Sequence, residues 1–219
     1  SPARLCDRLS PNGSNEFKPI KSPTWSVFDA QAYLAWEAEQ STKHEYHDGE
    51  VFAMAGASDA HVTVALNVAM ALRNHLRGSP CSVFISDMKL RVEEDNAFFY
   101  PDVFVTCAES DRGQSHSKSA PVLVVEVLSP ATSAYDRGAK FAAYRKLPTL
   151  REYALIDPER LSLDLFRREG DSKRWVLHPI EAGGHVEWAS VGLQVPLEAL
   201  YEDVPITTGP QPHPAPDQA

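Results

Sequence analysis

A chain of 219 residues, 43% hydrophobic and 23% charged, has the make-up of an ordinary soluble globular protein of about one domain. Its net charge of −9 excludes the broad basic surface from which non-specific affinity for nucleic acids comes. Any phosphate-binding site must therefore be local and assisted by metal ions.

Residues 1–22 carry a net charge of +2, which leaves −11 on the rest, and mix Pro, Asn, Ser and Gly without periodicity. They read as a disordered arm or leader, with a single domain over 23–203 and a Pro-rich flexible tail over 204–219. The stretch FDAQAYLAWEAEQ has helical spacing, with Phe28, Ala32, Leu34, Ala35 and Ala38 available for packing. KHEYHDGEVFAMAG reads as a hairpin turning at Asp48-Gly49, which pairs His47 with Glu50, Tyr46 with Val51 and Glu45 with Phe52. A long helix follows, capped by Ser58 or Asp59, packed through Val62, Ala65, Leu66, Ala69, Leu72 and Leu76, and stopped by Gly78.

Strands are expected around 82–86, 89–93 and 98–106. A polar loop over 109–119 separates them from PVLVVEVLSP, then come the helix DRGAKFAAYRKL and the strand EYALID. LSLDLFRR, RWVLHPI and HVEWAS suggest a closing meander. One strand–helix–strand unit among hairpin strands predicts a mixed β-sheet flanked by helices, of class α/β (α+β).

Three widely spaced cysteines, Cys6, Cys81 and Cys107, without a C-x-x-C pair, argue against a disulfide framework or a cysteine zinc site. They favour a reducing compartment. No apolar run approaches the ~18 residues of a membrane span, and the first residues lack the apolar core of a signal peptide. The expected location is cytoplasmic, with no membrane partner.

Glu126 stands out. It lies inside a run of Val and Leu too short for a typical helix, the mark of a strand buried on both faces. An unpaired carboxylate there would lose several kcal/mol of hydration, so it must be neutral, paired or bound to a cation. Asp102, which follows Pro101 at the start of another apolar run, is a second embedded acid. If the two strands are neighbours, both acids meet on one face, and two such carboxylates require a proton or a cation between them. Oxygen-only ligands suit Mg²⁺ or Mn²⁺. On the following helix, Asp136, Lys140 and Tyr144 share a face, and Lys140 can reach the acids. An Asp, a Glu and a Lys around an oxygen-ligated metal suit phosphodiester hydrolysis.

YPDVFV, the run PVLVVEVLSPATSAYDRGAKFAAYRKLPTLREYALIDP and, upstream, KHEYHDGEVFAMAGASDAH together resemble the Uma-two family of restriction endonucleases, within the PD-(D/E)XK nuclease-like superfamily. The resemblance covers roughly 27–168. It implies a restriction-endonuclease-like fold, Asp102 and Glu126 as metal ligands, Glu45 and His61 lining the site, and DNA as substrate. The main-chain carbonyl of Val127 would complete the ligand set. A homodimer, which would present two sites to two strands, is suggested by the resemblance alone. The superfamily's lysine stands two residues after the glutamate, where this chain has Leu128, and Lys140 is the natural substitute.

Blander readings stand beside these. Glu126 and Lys140 could form a structural ion pair, Asp102 could cap a turn, Asp136 could form only an exposed pair with Lys140, and Tyr144 could serve packing. His44 and His47, three apart on a strand, face opposite ways, which removes a zinc reading. The expected activity is metal-dependent DNA cleavage by Asp102, Glu126 and Lys140. The alternatives are a catalytically silent scaffold and a phosphodiesterase acting on RNA or nucleotides.

Overall fold

The structure, a computed structural model, describes residues 28–54 and 56–206. The arm over 1–22, Cys6, Trp25 and residues 207–219 of the tail lie outside the described residues.

The chain opens with helix α1 (Ala30–Glu37), whose N-cap Asp29 accepts the N–H groups of Gln31 and Ala32. The hairpin β1 (His44–His47) and β2 (Glu50–Ala53) has the expected register, His47 opposite Glu50 and Glu45 opposite Phe52. Asp48 (φ 47°) and Gly49 (φ 93°) both take the left-handed region that this two-residue turn requires, where glycine has no Cβ to clash. Helix α2 (Asp59–His75) is capped by Ser58, whose hydroxyl accepts the N–H of His61.

Short strands β3 (Ser82–Ile85), β4 (Lys89–Val92), β5 (Ala97–Phe99) and β6 (Val103–Thr106) follow, then β7 (Ser117–Lys118) and the long β8 (Pro121–Val127). A helical segment comprises α3 (Ser133–Tyr135), a π-helical turn over Asp136–Lys140 and α4 (Phe141–Tyr144). It leads to β9 (Glu152–Asp157), β10 (Ser162–Arg168) and β11 (Trp175–Glu181), then the ribbon of β12 (His185–Trp188) and β13 (Leu193–Pro196). Among the described residues no helix is long and apolar enough to cross a membrane.

Two sheets carry the architecture, one ordered β2-β1-β5-β4-β7 and the other β11-β10-β9-β8-β6-β3. This is the mixed α+β fold expected. β8 runs antiparallel to β6 and parallel to β9, as the strand–helix–strand unit requires. It is buried on both faces. Leu123, Val125 and Val127 join the core under α2, while Val124 and Leu128 join the core under α4.

Three expectations need correction. The single strand expected over 98–106 is broken, because Pro101 has no N–H for a ladder. The chain leaves the first sheet after Phe99 and enters the second at Val103. The packing face of α2 is also different: Val64, Val68 and Leu72 are buried, whereas Val62 and Leu66 are more than half exposed. The helix is apolar on two sides, and spacing alone does not say which one meets the sheet. Third, Cys81 and Cys107 form a disulfide, contrary to the cysteine expectation. They flank the antiparallel pair β3–β6, in which Ser82 opposes Thr106, so the fold brings together residues 26 positions apart.

Candidate active site

The centre of the second sheet meets the corner of the first around Glu126. The β6–β8 register pairs Val103 with Val125, so Asp102, one residue earlier, falls opposite Glu126. Its backbone N–H donates to Glu126 Oε2 at 3.3 Å, and its own carboxylate oxygen Oδ2 accepts the N–H of Val127 at 2.8 Å. The other carboxylate oxygen meets His61 Nε2 from the first turn of α2 at 3.0 Å.

Glu126 itself points toward the helical segment. Its Oε1 accepts from Lys140 Nζ at 3.2 Å and from the Tyr144 hydroxyl at 2.9 Å. Lys140 is the hub, with Nζ 2.9 Å from Glu45 Oε1 and 3.4 Å from Asp136 Oδ1 as well. Glu45 comes from β1 and accepts the N–H of Tyr100 at 3.0 Å. Glu45, Glu126, Asp136 and Lys140 are all buried.

Asp136 and Lys140 stand at the two ends of the π-turn, and both face inward. A π-helical turn carries one more residue than an α-turn and is a frequent feature of functional sites. Here the carbonyl of Asp136 accepts the Tyr153 hydroxyl at 3.0 Å, from the neighbouring strand β9. The exposed Asp136–Lys140 pair weighed from sequence is therefore corrected: Asp136 is 2% exposed and belongs to the cluster. Tyr144, read as packing, also donates to the central carboxylate. Part of the signal lies in the spacing, which puts Asp136 and Tyr144 on one face with Lys140 but does not say that the face is buried.

One ammonium serves three carboxylates, and this sets the electrostatics. Burial, followed by the charges of Asp136, Asp102 and Glu45, pushes the Glu126 carboxyl well above its ordinary value against the pull of Lys140. Burial likewise raises Glu45. Burial would lower Lys140, but Glu126 and Glu45 overcome it and hold the ammonium charged. Desolvation would lower His61 too, yet its bond to Asp102 and the charge there raise it. The cluster is short of positive charge.

Glu126→Gln should therefore stabilise the metal-free fold at pH 8 relative to the parent, because it removes the acid that burial penalises. A carboxyl whose folded pKa is raised contributes stability below its unfolded value, near 4.5, and loses it as pH rises through the folded value. The gap between the two proteins should close on acidification toward pH 4.5. Thermal melts across pH test this, and a gap that widens toward acid contradicts the assignment.

The donor set fits a hard cation. The carboxylates of Asp102 and Glu126 and the main-chain carbonyl of Val127 offer only oxygen; Glu126 Oε1 already accepts two bonds, whereas Glu126 Oε2 and both Asp102 oxygens accept one each and retain a lone pair. Among the described residues no three His, Cys, Asp or Glu side chains form a ready metal cage. Mg²⁺ and Mn²⁺ sites of one or two carboxylates completed by water do not need one. Glu45 and His61 both reach the cluster. His44 and His47 do not: His44 binds Glu37 and His47 lies near Asp95. Leu128, two residues after Glu126, is buried in the apolar core, and the ammonium beside Glu126 is that of Lys140 on the helical segment.

A solved structure from Anabaena variabilis, titled a putative nuclease belonging to DUF820, has the same fold. Its TM-score is 0.66 at 16% identity, over 80% of this chain and 97% of that one. Two proteins of Synechocystis sp. are similar in sequence. Uncharacterized protein slr1290 is 37% identical over 78% of this chain and 90% of its own length, and uncharacterized protein sll1609 is 34% identical over 70% and 88%. Residues 30–217, which hold Glu45, His61, Asp102, Glu126 and Lys140, match the Uma2 family, described as "Putative restriction endonuclease", and the chain belongs to that family.

Proposed function

We propose that the protein is a divalent-metal-dependent endonuclease that hydrolyses DNA phosphodiester bonds. The observation that supports this best is the Glu126 carboxylate, bonded by Lys140 and Tyr144 on one oxygen and by the Asp102 N–H on the other. Asp102, Glu126 and the main-chain carbonyl of Val127 would hold Mg²⁺ or Mn²⁺. Such an ion polarises the phosphate and makes a water more acidic.

The chain's own groups supply the rest. Lys140 places a mobile positive charge beside Glu126, suited to orienting the attacking water and balancing negative charge on phosphorus. Tyr144 fixes the Glu126 carboxylate, and His61 with the Val127 N–H fixes that of Asp102. Glu45 shares Lys140 and holds it in place. The acidic body makes substrate capture weak and salt-sensitive.

In the test, Mn²⁺ or Mg²⁺ should raise the melting temperature by binding the native state, and should support DNA nicking that chelation stops. Asp102→Asn should remove both effects while leaving the fold intact. An equal thermal response in the two proteins places the ion elsewhere. Metal binding without cleavage of duplex, single-stranded DNA or RNA at low salt favours a catalytically silent scaffold.

A further inference from the structure

α2 carries a second apolar stripe that its packing does not use. Val62, Leu66 and Met70 are 54%, 55% and 54% exposed, while the helix is held to the sheet by Val64, Val68 and Leu72. Ile85, 53% exposed at the end of β3, adjoins the stripe across a groove lined by Met70, Arg73 and Met88. Exposed large apolar side chains clustered on one face mark a contact surface rather than scattered surface residues.

The stripe has an internal symmetry. Counted from Leu66, Val62 and Met70 lie four residues to either side, and Asp59 and Arg73 lie seven to either side. All five are exposed and share one helical face. The pattern matches in apolar character about its midpoint and is opposite in charge. The ion pairs of the described residues include neither Asp59 nor Arg73.

A second copy of α2 laid antiparallel, with a two-fold axis at Leu66, sets Leu66 against itself. Val62 then meets Met70, and Asp59 meets Arg73. An isologous contact requires this kind of self-complementarity, and spacings of three and four residues keep all five side chains on one continuous face of the helix. β3 is also an edge strand of its sheet, so the same face presents a second element able to pair antiparallel with its own copy.

We propose that α2 is the contact helix of a two-fold homodimer and that the stripe is covered by a second copy of this chain. The inference rests on the surface of α2 and not on the nuclease reading. Sedimentation equilibrium of the full chain over a hundredfold range of concentration should show a reversible dimer. Leu66→Asp sets two carboxylates on the axis and should weaken association at least about a hundredfold. Circular dichroism should be unchanged, since Leu66 is outside the core. Asp59→Arg and Arg73→Asp each set like charges face to face and should weaken it about tenfold, and the double exchange should restore it. A monomeric parent overturns the proposal, including one whose stripe is shielded until residues 1–27 are deleted. So does a dimer indifferent to Leu66→Asp, or a double exchange no better than either single.

Discussion

Lys140→Met should destabilise the metal-free protein by about 3–5 kcal/mol, the cost of leaving buried charge without its partner. Three carboxylates, Glu45, Glu126 and Asp136, lie within 3.4 Å of its ammonium and lose it together. At roughly 2–4 °C per kcal/mol for a domain of this size, the melting temperature should fall by about 6–20 °C. The loss has a pH signature. The carboxyls of Glu45 and Glu126 already sit above their ordinary values, held there by burial, and without the ammonium they rise further. Stability that depends on protonating them is present in acid and disappears as pH rises, so variant and parent should converge toward pH 4.5 and diverge above it. Mn²⁺ should recover part of the loss by supplying the missing charge. Melting curves of the two proteins with and without chelator decide the matter; coincidence at pH 8 would mean that Lys140 is not the hub.

The second large effect is on turnover. Glu126→Gln keeps the shape of the side chain and its bond from Tyr144 but removes the ligand charge. DNA cleavage in Mn²⁺ should fall about a thousandfold, the scale seen when a preorganised electrostatic contribution to a transition state is deleted. Because the same substitution relieves a buried acid, the variant should melt no lower than the parent at pH 8 without metal. That combination separates loss of chemistry from loss of fold. An activity within tenfold of the parent would falsify the assignment of Glu126 as a ligand.

Much of this was readable before the structure, where a local rule had one solution. The β1–β2 register followed from Asp48-Gly49, because a two-residue turn leaves one pairing. Glu126 was visible because a lone charge in a buried strand has few explanations. The legibility ended where a pattern had two solutions of equal quality. Asp136 and Lys140 at i, i+4 look the same exposed or buried, and only the docking of the helical segment on β9, where Tyr153 donates to the Asp136 carbonyl, sets that face inward. The two apolar sides of α2 fit the same spacing, so the pattern admits Val62 and Leu66 to the core although Val64 and Val68 fill it. Cys81 and Cys107 are far apart along the chain and meet only through β3–β6 pairing. The break at Pro101 was hidden by the apolar residues on both sides, which suit either sheet.

That break has a consequence for when the site exists at all. Tyr100 donates its N–H to Glu45 in the first sheet, and Asp102, two residues on, pairs with Val127 in the second. The cluster therefore assembles only once both sheets are formed and meet at this corner. Its members run from Glu45 to Tyr144, so a chain that ends before Tyr144 lacks part of the set. Opening between the sheets would dismantle the cluster while each sheet keeps its own hydrogen bonds. Any activity that depends on the cluster would therefore require both sheets to be in place.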